Sequence, residues 1–270
     1  MNAKKRLISM ALASVMCLGV LVGCGGSSGS SDNGSANGSA APASSGSMTV
    51  TEGVLTMGTN AAFPPYEYYD GDKIVGIDAE IAQALADKMG LKLDIVDMDF
   101  GAIITSVQTG KVDIGLAGMT KTPEREKNVS FTDTYAKGVQ VVIVPEDSKI
   151  QSIDDLDGAL IGVQESTTGH SYCSSDYGEE NVIAYTNGAT AVQAMQQGKV
   201  DCVVIDQQPA KTFVKENKGL KILDTEYVSE EYAIAVNKDN TQLLDKLNSA
   251  LKELQDDGTI QSILDKYIKA

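Results

Sequence analysis

The residues Gly110-Lys-Val-Asp113 occur a second time as Gly198-Lys-Val-Asp201, and both copies have the same kinds of neighbour. Ile103, Ile104 and Val107 precede the first copy with helical spacing, and Ala191, Val192 and Met195 precede the second. Each copy runs into an apolar stretch suited to a buried strand, Ile114-Gly-Leu-Ala-Gly-Met-Thr120 or Cys202-Val-Val-Ile-Asp206. A helix that stops on glycine and feeds a buried strand is thus written twice, which points to two similar α/β lobes. Their ends differ in chemistry. The first run leads through Thr120 to Arg125, whereas the second stops on the carboxylate of Asp206. Two lobes carrying opposite charges suit a zwitterion gripped between them.

The chain opens with Lys4, Lys5 and Arg6, an apolar run over 7–22, and small residues before Cys24, the pattern of an export signal over 1–23. The apolar run is too short for a comfortable membrane span. Leu21-Val-Gly-Cys24 resembles the bacterial lipobox, in which the cysteine takes a diacylglyceryl group and becomes the new N-terminus. That resemblance implies an extracytoplasmic protein anchored to the cell membrane through Cys24; the alternative is an ordinary cleaved signal with an incidental cysteine. Residues 24–48 continue from Cys24 in a Gly/Ser/Ala/Asn-rich stretch, expected to be a disordered tether, so folding should start near Thr49. Cys17 leaves with the signal and Cys24 is the anchor. Cys173 and Cys202 remain as a disulfide or as two buried thiols, since Cα separation decides.

A chain of 270 residues, 42% hydrophobic and 22% charged, suffices for one or two soluble domains. Its formal charge of −15 becomes more negative once the basic leader is lost, which argues against a nucleic-acid partner. His170 is the only histidine, so a zinc site is not expected and a solvated or capping role is. Gly-x-Ser-x-Gly, a P-loop and Gly-x-Gly-x-x-Gly after a strand are all missing from the sequence, and no cofactor is expected.

Taken in order, residues 54–59 form an apolar run that passes into Ala-Ala-Phe63-Pro-Pro-Tyr-Glu67, a rigid loop holding Phe63 outward or packing it on the core. Ile77, Ile81, Leu85 and Met89 predict a helix stopped by Gly90, followed by a strand over 91–96 and a second helix opened by Met98-Asp-Phe-Gly101. Around Arg125 a polar loop or helix start is expected. Residues 139–144 are the expected crossing strand and 232–236 the return. Between them lie a strand over 160–164, a turn through Ser166 and Thr167, and a helix starting near His170, whose first N–H groups would cap or bind an anion. Leu243, Leu247, Leu251 and Leu254, then Ile260, Ile263 and Tyr267, predict a helical tail on the first lobe.

From about Val54 to Tyr267 these features resemble the polar amino acid type of extracytoplasmic solute-binding proteins that feed ABC importers. The resemblance rests on Phe63-Pro-Pro-Tyr-Glu67, on Gly118-Met-Thr120 followed by Arg125, on Gly162-Val-Gln-Glu-Ser-Thr-Thr168, and on Gly198-Lys-Val-Asp followed by Asp206. It implies an α/β, two-lobe "Venus flytrap" fold of the type II periplasmic-binding class, with two hinge crossings. Lobe 1 would be 49–138 with 237–270, and lobe 2 would be 139–236 with hinge strands at its ends. By the same resemblance Arg125, Thr120, Ser166, Thr167 and Thr168 grip a ligand carboxylate, and Asp206 and Gly118 take its ammonium. Phe63, Phe100, Asn60, Gln164 and Met119 would face the ligand side chain. A guanidinium suits the first role because it offers a carboxylate two parallel charged hydrogen bonds. The expected partners are an amino acid, a membrane permease and, through Cys24, the membrane; the protein is expected to be a monomer and not an enzyme.

Two other readings compete: a dehydratase on the same scaffold, like cyclohexadienyl dehydratases, and the sensing domain of a signalling receptor. The visible polar residues are accounted for without an enzyme's acid or base, and no membrane helix or kinase pattern follows before Ala270. Asn60, often Asp in the family, and Gln164, sometimes Lys, are neutral amides. They favour a neutral polar ligand such as glutamine or cystine, unless Glu67, Asp99 or Glu165 supplies a counter-charge for a cation.

Overall fold

The computed structural model describes residues 47–268; the signal segment, Cys24 and most of the tether lie outside them. Strand β1 (Val54–Thr59) is followed by three short strands, β2 (Ala62–Phe63), β3 (Glu67–Asp70) and β4 (Lys73–Val75), which pair with one another as a separate small sheet. Helix α1 (Ile77–Met89), strand β5 (Lys92–Asp97), helix α2 (Phe100–Gln108), strand β6 (Ile114–Gly115) and the single turn α3 (Pro123–Glu126) complete the first stretch. The long strand β7 (Ser130–Pro145) leads to β8 (Ile161–Gln164), α4 (Thr168–Tyr177), β9 (Val182–Tyr185), α5 (Gly188–Gln196), β10 (Cys202–Asp206), α6 (Gln207–Glu216) and β11 (Leu220–Ile222). Strand β12 (Val228–Val236) returns, and α7 (Thr241–Asp256) and α8 (Thr259–Tyr267) close the chain.

The main sheet has the order β5-β1-β6-β12-β7-β10-β8-β9, with β11 also on β7. β5, β1 and β6 are mutually parallel, as are β10, β8 and β9. Antiparallel β7 and β12 join these two parallel groups, paired from Val228 opposite Gln140 to Val236 opposite Ser130. Both strands start earlier than the apolar runs suggest, because each supplies the other's backbone partners through the polar residues as well.

The repeated tetrapeptide has the same structural task in both places. Gly110 and Gly198 take φ of 68° and 70°, the left-handed conformation that ends α2 and α5 without a Cβ clash. Val112 and Val200 are buried behind them. The Asp113 carboxylate accepts from the Thr56 N–H of β1 at 2.7 Å, and that of Asp201 accepts from the Leu160 N–H just before β8 at 2.8 Å. Each aspartate therefore ties the strand it opens to its parallel neighbour.

Burial follows strand parity. Val141 and Ile143 pack with α5 and α6 residues such as Val192 and Phe213, while Val142 and Val144 face the cluster containing Ile161, Val163 and Cys173. In β12, Ile234 and Val236 join the cluster with Leu85, Leu247 and Leu251, whereas Ala233 and Ala235 join Ile103 and Val107. Buried on both faces, these strands are continuously apolar. Helices α7 and α8 pack on α1 through that first cluster.

Gly138 of β7 lies under the Tyr232 ring, where a Cβ would come within 2.5 Å of the ring carbon and hydroxyl. Gly138→Ala should destabilise the fold by about 1–3 kcal/mol through overpacking, measured by urea denaturation. A change within a few tenths of a kcal/mol would show that Tyr232 has room to move.

Candidate functional site

Arg125 enters the site from α3, which its neighbours build: Thr122 accepts from the Arg125 N–H at 3.2 Å as N-cap, and Pro123 occupies the first turn. The guanidinium donates through Nη1 to the Thr120 carbonyl at 2.8 Å and through Nη2 to the Ser166 carbonyl at 3.1 Å. It also sits 5.2 Å over the Phe100 ring. Burial lowers its pKa, with Glu230 opposing the shift, and it remains a cation in any physiological range.

Asp206 stands at the end of β10 and caps α6. Its Oδ1 accepts from the Gln208 N–H at 2.9 Å, and its Oδ2 accepts from the Val139 N–H at 3.0 Å and the Tyr232 hydroxyl at 2.7 Å. Burial raises its pKa to about 6 despite these donors. Among the described residues no ion pair links it to Arg125.

Both residues line one cavity of about 460 Å³, counted with the solvent it opens to. Its wall includes Asn60, Phe63, Phe100, Gly118, Thr120, Gln164, Thr167 and Thr168 as well, so most of the residues expected from sequence come together there. Gly118 has φ of 52°, and a Cβ on it would meet the Phe63 ring at 2.8 Å, so only glycine lets that ring lie so close. Thr167 caps α4 by accepting from the His170 N–H at 3.2 Å, which starts the helix at Thr168, two residues before the sequence suggested. His170 in turn accepts from the Ser166 N–H at 3.3 Å, a capping role. Ser166, also expected at the carboxylate, is not on that wall: it lines the neighbouring pocket beside Arg125, has φ of 65° and meets Arg125 through its carbonyl.

One further expectation changes, and two gain detail. Met119 is not on the cavity wall but fully buried with Ile103 and Val107, because its side chain follows the core face of the run. Thr120 is on the wall, and its hydroxyl donates to the buried Glu230 at 3.1 Å. Asn60 and Gln164 are joined: Gln164 Nε2 donates to Asn60 Oδ1 at 3.0 Å, and Asn60 Nδ2 donates to the Met98 carbonyl at 2.9 Å.

Sequence reasoning missed Glu230, Gln140 and Tyr232. Glu230 is buried and accepts from Gln140 Nε2 at 2.9 Å in addition to Thr120. The available signal was parity: Glu230, Tyr232 and Ile234 alternate on one face of β12, so an inward acid beside Arg125 follows once Tyr232 is placed inward. Cys173 and Cys202 are free buried thiols in one apolar cluster. Among the described residues there is no group of three or more His, Cys, Asp or Glu suited to a metal, and no helix long and apolar enough to cross a membrane.

Residues 55–270 match the family described as bacterial extracellular solute-binding proteins, family 3, and the chain belongs to that family. The arginine-binding extracellular protein ArtP of Bacillus subtilis is 38% identical over 223 residues, covering 79% of this chain and 85% of the relative. Among solved structures, an ancestral arginine-binding protein bound to glutamine is 39% identical with a TM-score of 0.77, covering 82% of this chain and all of that one. An ancestral amino acid-binding protein, AncCDT-1, described as a precursor of cyclohexadienyl dehydratase, is 32% identical with a TM-score of 0.74 over 80% of this chain and 96% of its own. These relatives are binding proteins rather than enzymes, and their fold is the two-lobe α/β architecture expected from the sequence.

Tyr232→Phe removes a hydroxyl donor from the Asp206 carboxylate and should push its pKa above about 6. The unfolded group titrates near its ordinary 3.8, so the folded chain holds the proton more tightly. The stabilisation from that protonation is complete below the ordinary value and is lost as pH rises through the folded one. The variant should therefore track wild type from pH 4 to about 6 and lose stability relative to it as pH rises past 6, measured by denaturation at each pH. Parallel pH profiles would show that the phenol does not hold the carboxylate.

Proposed function

We propose that this protein is the amino-acid-binding component of an ABC importer, carrying its ligand between two lobes to a membrane permease. The observation that carries this reading is a cation, Arg125, and an anion, Asp206, facing one cavity without pairing with each other. Arg125 takes the α-carboxylate with the backbone N–H groups at the start of α4, where the helix dipole favours an anion. Asp206 and the Gly118 carbonyl take the ammonium. Lobe 1 (49–138 and 237–270) and lobe 2 (139–236) each hold one of these charges, so the ligand binds the closed arrangement better and shifts the population toward it.

L-Arginine is the side chain we favour over the neutral ligand suggested by the two amides alone. Once Asn60 and Gln164 have bonded to each other, Gln164 Oε1 and the second lone pair of Asn60 Oδ1 are acceptors, which a donor-only guanidinium satisfies. Phe63 lines the same cavity with a ring that can stack on a guanidinium, while the Phe100 ring already carries Arg125. The names of ArtP and the ancestral arginine-binding protein support this choice. L-Glutamine is the second reading, favoured by the N–H that each amide keeps and by the ligand named for that ancestral protein.

Titration calorimetry tests the grip. Arg125→Ala and Asp206→Asn should each weaken L-arginine and L-glutamine alike by at least about 2 kcal/mol, because each leaves a ligand charge without its partner. Near-wild-type affinity in either folded variant would place the ligand elsewhere, and tighter wild-type binding of glutamine than arginine would favour the second reading.

The chain is further proposed to be an extracytoplasmic lipoprotein monomer, held to the membrane through Cys24. Cys24→Ala should leave it soluble or unprocessed in cell fractionation, since one lipid-bearing residue supplies the anchor. Membrane retention of a correctly cleaved Cys24→Ala protein would contradict the anchor.

A further inference from the structure

Glu67, on the cavity wall, and Asp78, behind it, are two carboxyl groups that no basic residue balances among the described residues. Glu67 opens β3, Asp78 is in the first turn of α1, and both are fully buried. Asp78 Oδ2 accepts from the Gly118 N–H at 2.7 Å and the Tyr135 hydroxyl at 2.9 Å. Asp78 Oδ1 and both Glu67 oxygens receive no donor from the described residues. The groups facing the pair are all acids or phenols: Tyr66 from the loop before β3, Asp97 from β5 and Tyr135 from β7, with Asp206 of β10 and Tyr232 of β12 beyond Tyr66. Without a cation beside them, two adjacent carboxylates in a dry interior cannot both ionise. A proton on Glu67 turns one acceptor into a donor aimed at Asp78.

Titration tendencies agree with that arrangement. Burial and the Asp78 charge hold Glu67 well above the ordinary carboxyl range, and burial holds Asp78 at about 6 against its two hydrogen bonds. Asp78 has a direct route to the site, because the backbone N–H it fixes belongs to Gly118, whose carbonyl faces the ligand ammonium in the reading above.

We propose that Glu67 and Asp78 form a proton-sharing pair that positions the ammonium end of the site, and that the ligand's ammonium expels the shared proton when it binds. The proposal rests on the zwitterion reading. In the step, the Glu67 O–H bond breaks, its electron pair stays on the carboxylate and the proton goes to solvent; Asp78 stays ionised and the ligand keeps its ammonium protons. A nearby positive charge lowers the pKa of both acids, which makes binding and proton release one linked event.

Calorimetry of L-arginine and L-glutamine binding, run between pH 6 and 8 in buffers of different ionisation enthalpy, counts the protons released per ligand. Wild type should release a measurable fraction of a proton, and Glu67→Gln, whose amide donates to Asp78 but cannot ionise, should release less than about half as much. Asp78→Asn, which removes the anion that retains the proton, should reduce the release as well. A residue that only supports the fold would change affinity and leave the proton count alone. Equal counts in wild type and Glu67→Gln would overturn the pair while leaving the zwitterion reading in place. Glu67→Gln failing to fold would also overturn it, since glutamine is isosteric with the protonated acid. Failure of both amino acids to bind wild type would refute the zwitterion reading, and the pair with it.

Discussion

Arg125, half-buried on α3, and Asp206, buried at the end of β10, face one cavity, and neither neutralises the other. Removing a charge from water is costly unless hydrogen bonds or a counter-charge replace the lost hydration. Here the replacements are dipoles. Arg125 has the carbonyls of Thr120 and Ser166, and Asp206 has two backbone N–H groups and the Tyr232 hydroxyl. Dipoles hold the groups in place without cancelling their charges, so the cavity keeps one charge of each sign. A molecule with a carboxylate and an ammonium on one carbon is the complement of that arrangement, whatever its side chain. The common grip and the specificity are thus separate problems on separate residues.

The strands joining the two parallel groups bear on the site as well as on the connectivity. Asp206 is tied to Val139 of β7 and Tyr232 of β12, and Glu230 of β12 bonds Gln140 of β7 and the Thr120 hydroxyl. The charge-bearing ends are thereby held by the segments that must bend if the lobes move. Arg125 also reaches the Ser166 carbonyl in the turn before α4. Ligand charge and closure draw on the same hydrogen bonds, which gives binding a physical route to conformation.

The duplicated Gly-Lys-Val-Asp made the architecture legible, because each residue in it answers to a local rule: left-handed glycine, buried valine, aspartate on a neighbouring strand's N–H. Arg125 and Asp206 were legible because each follows one of the repeated strands. The small β2-β3-β4 sheet was not, since residues 62–75 carry two prolines and a turn and have no sustained alternation. Met119 was misplaced because spacing from Thr120 does not say which way a short irregular run turns its side chains. Glu230 was hidden by charge: a glutamate beside Glu231 looks solvated until the parity of β12 is fixed by Tyr232. The mutual bond of Asn60 and Gln164 joins residues 104 positions apart, which no local pattern encodes.

The most direct measurement is a crystal structure of the protein with L-arginine at neutral pH. The α-carboxylate should make paired hydrogen bonds with the Arg125 guanidinium, and the α-ammonium should lie within about 3 Å of Asp206, as charge-assisted bonds require. A ligand bound in the reverse sense, or held in the cavity without touching both residues, would contradict this arrangement.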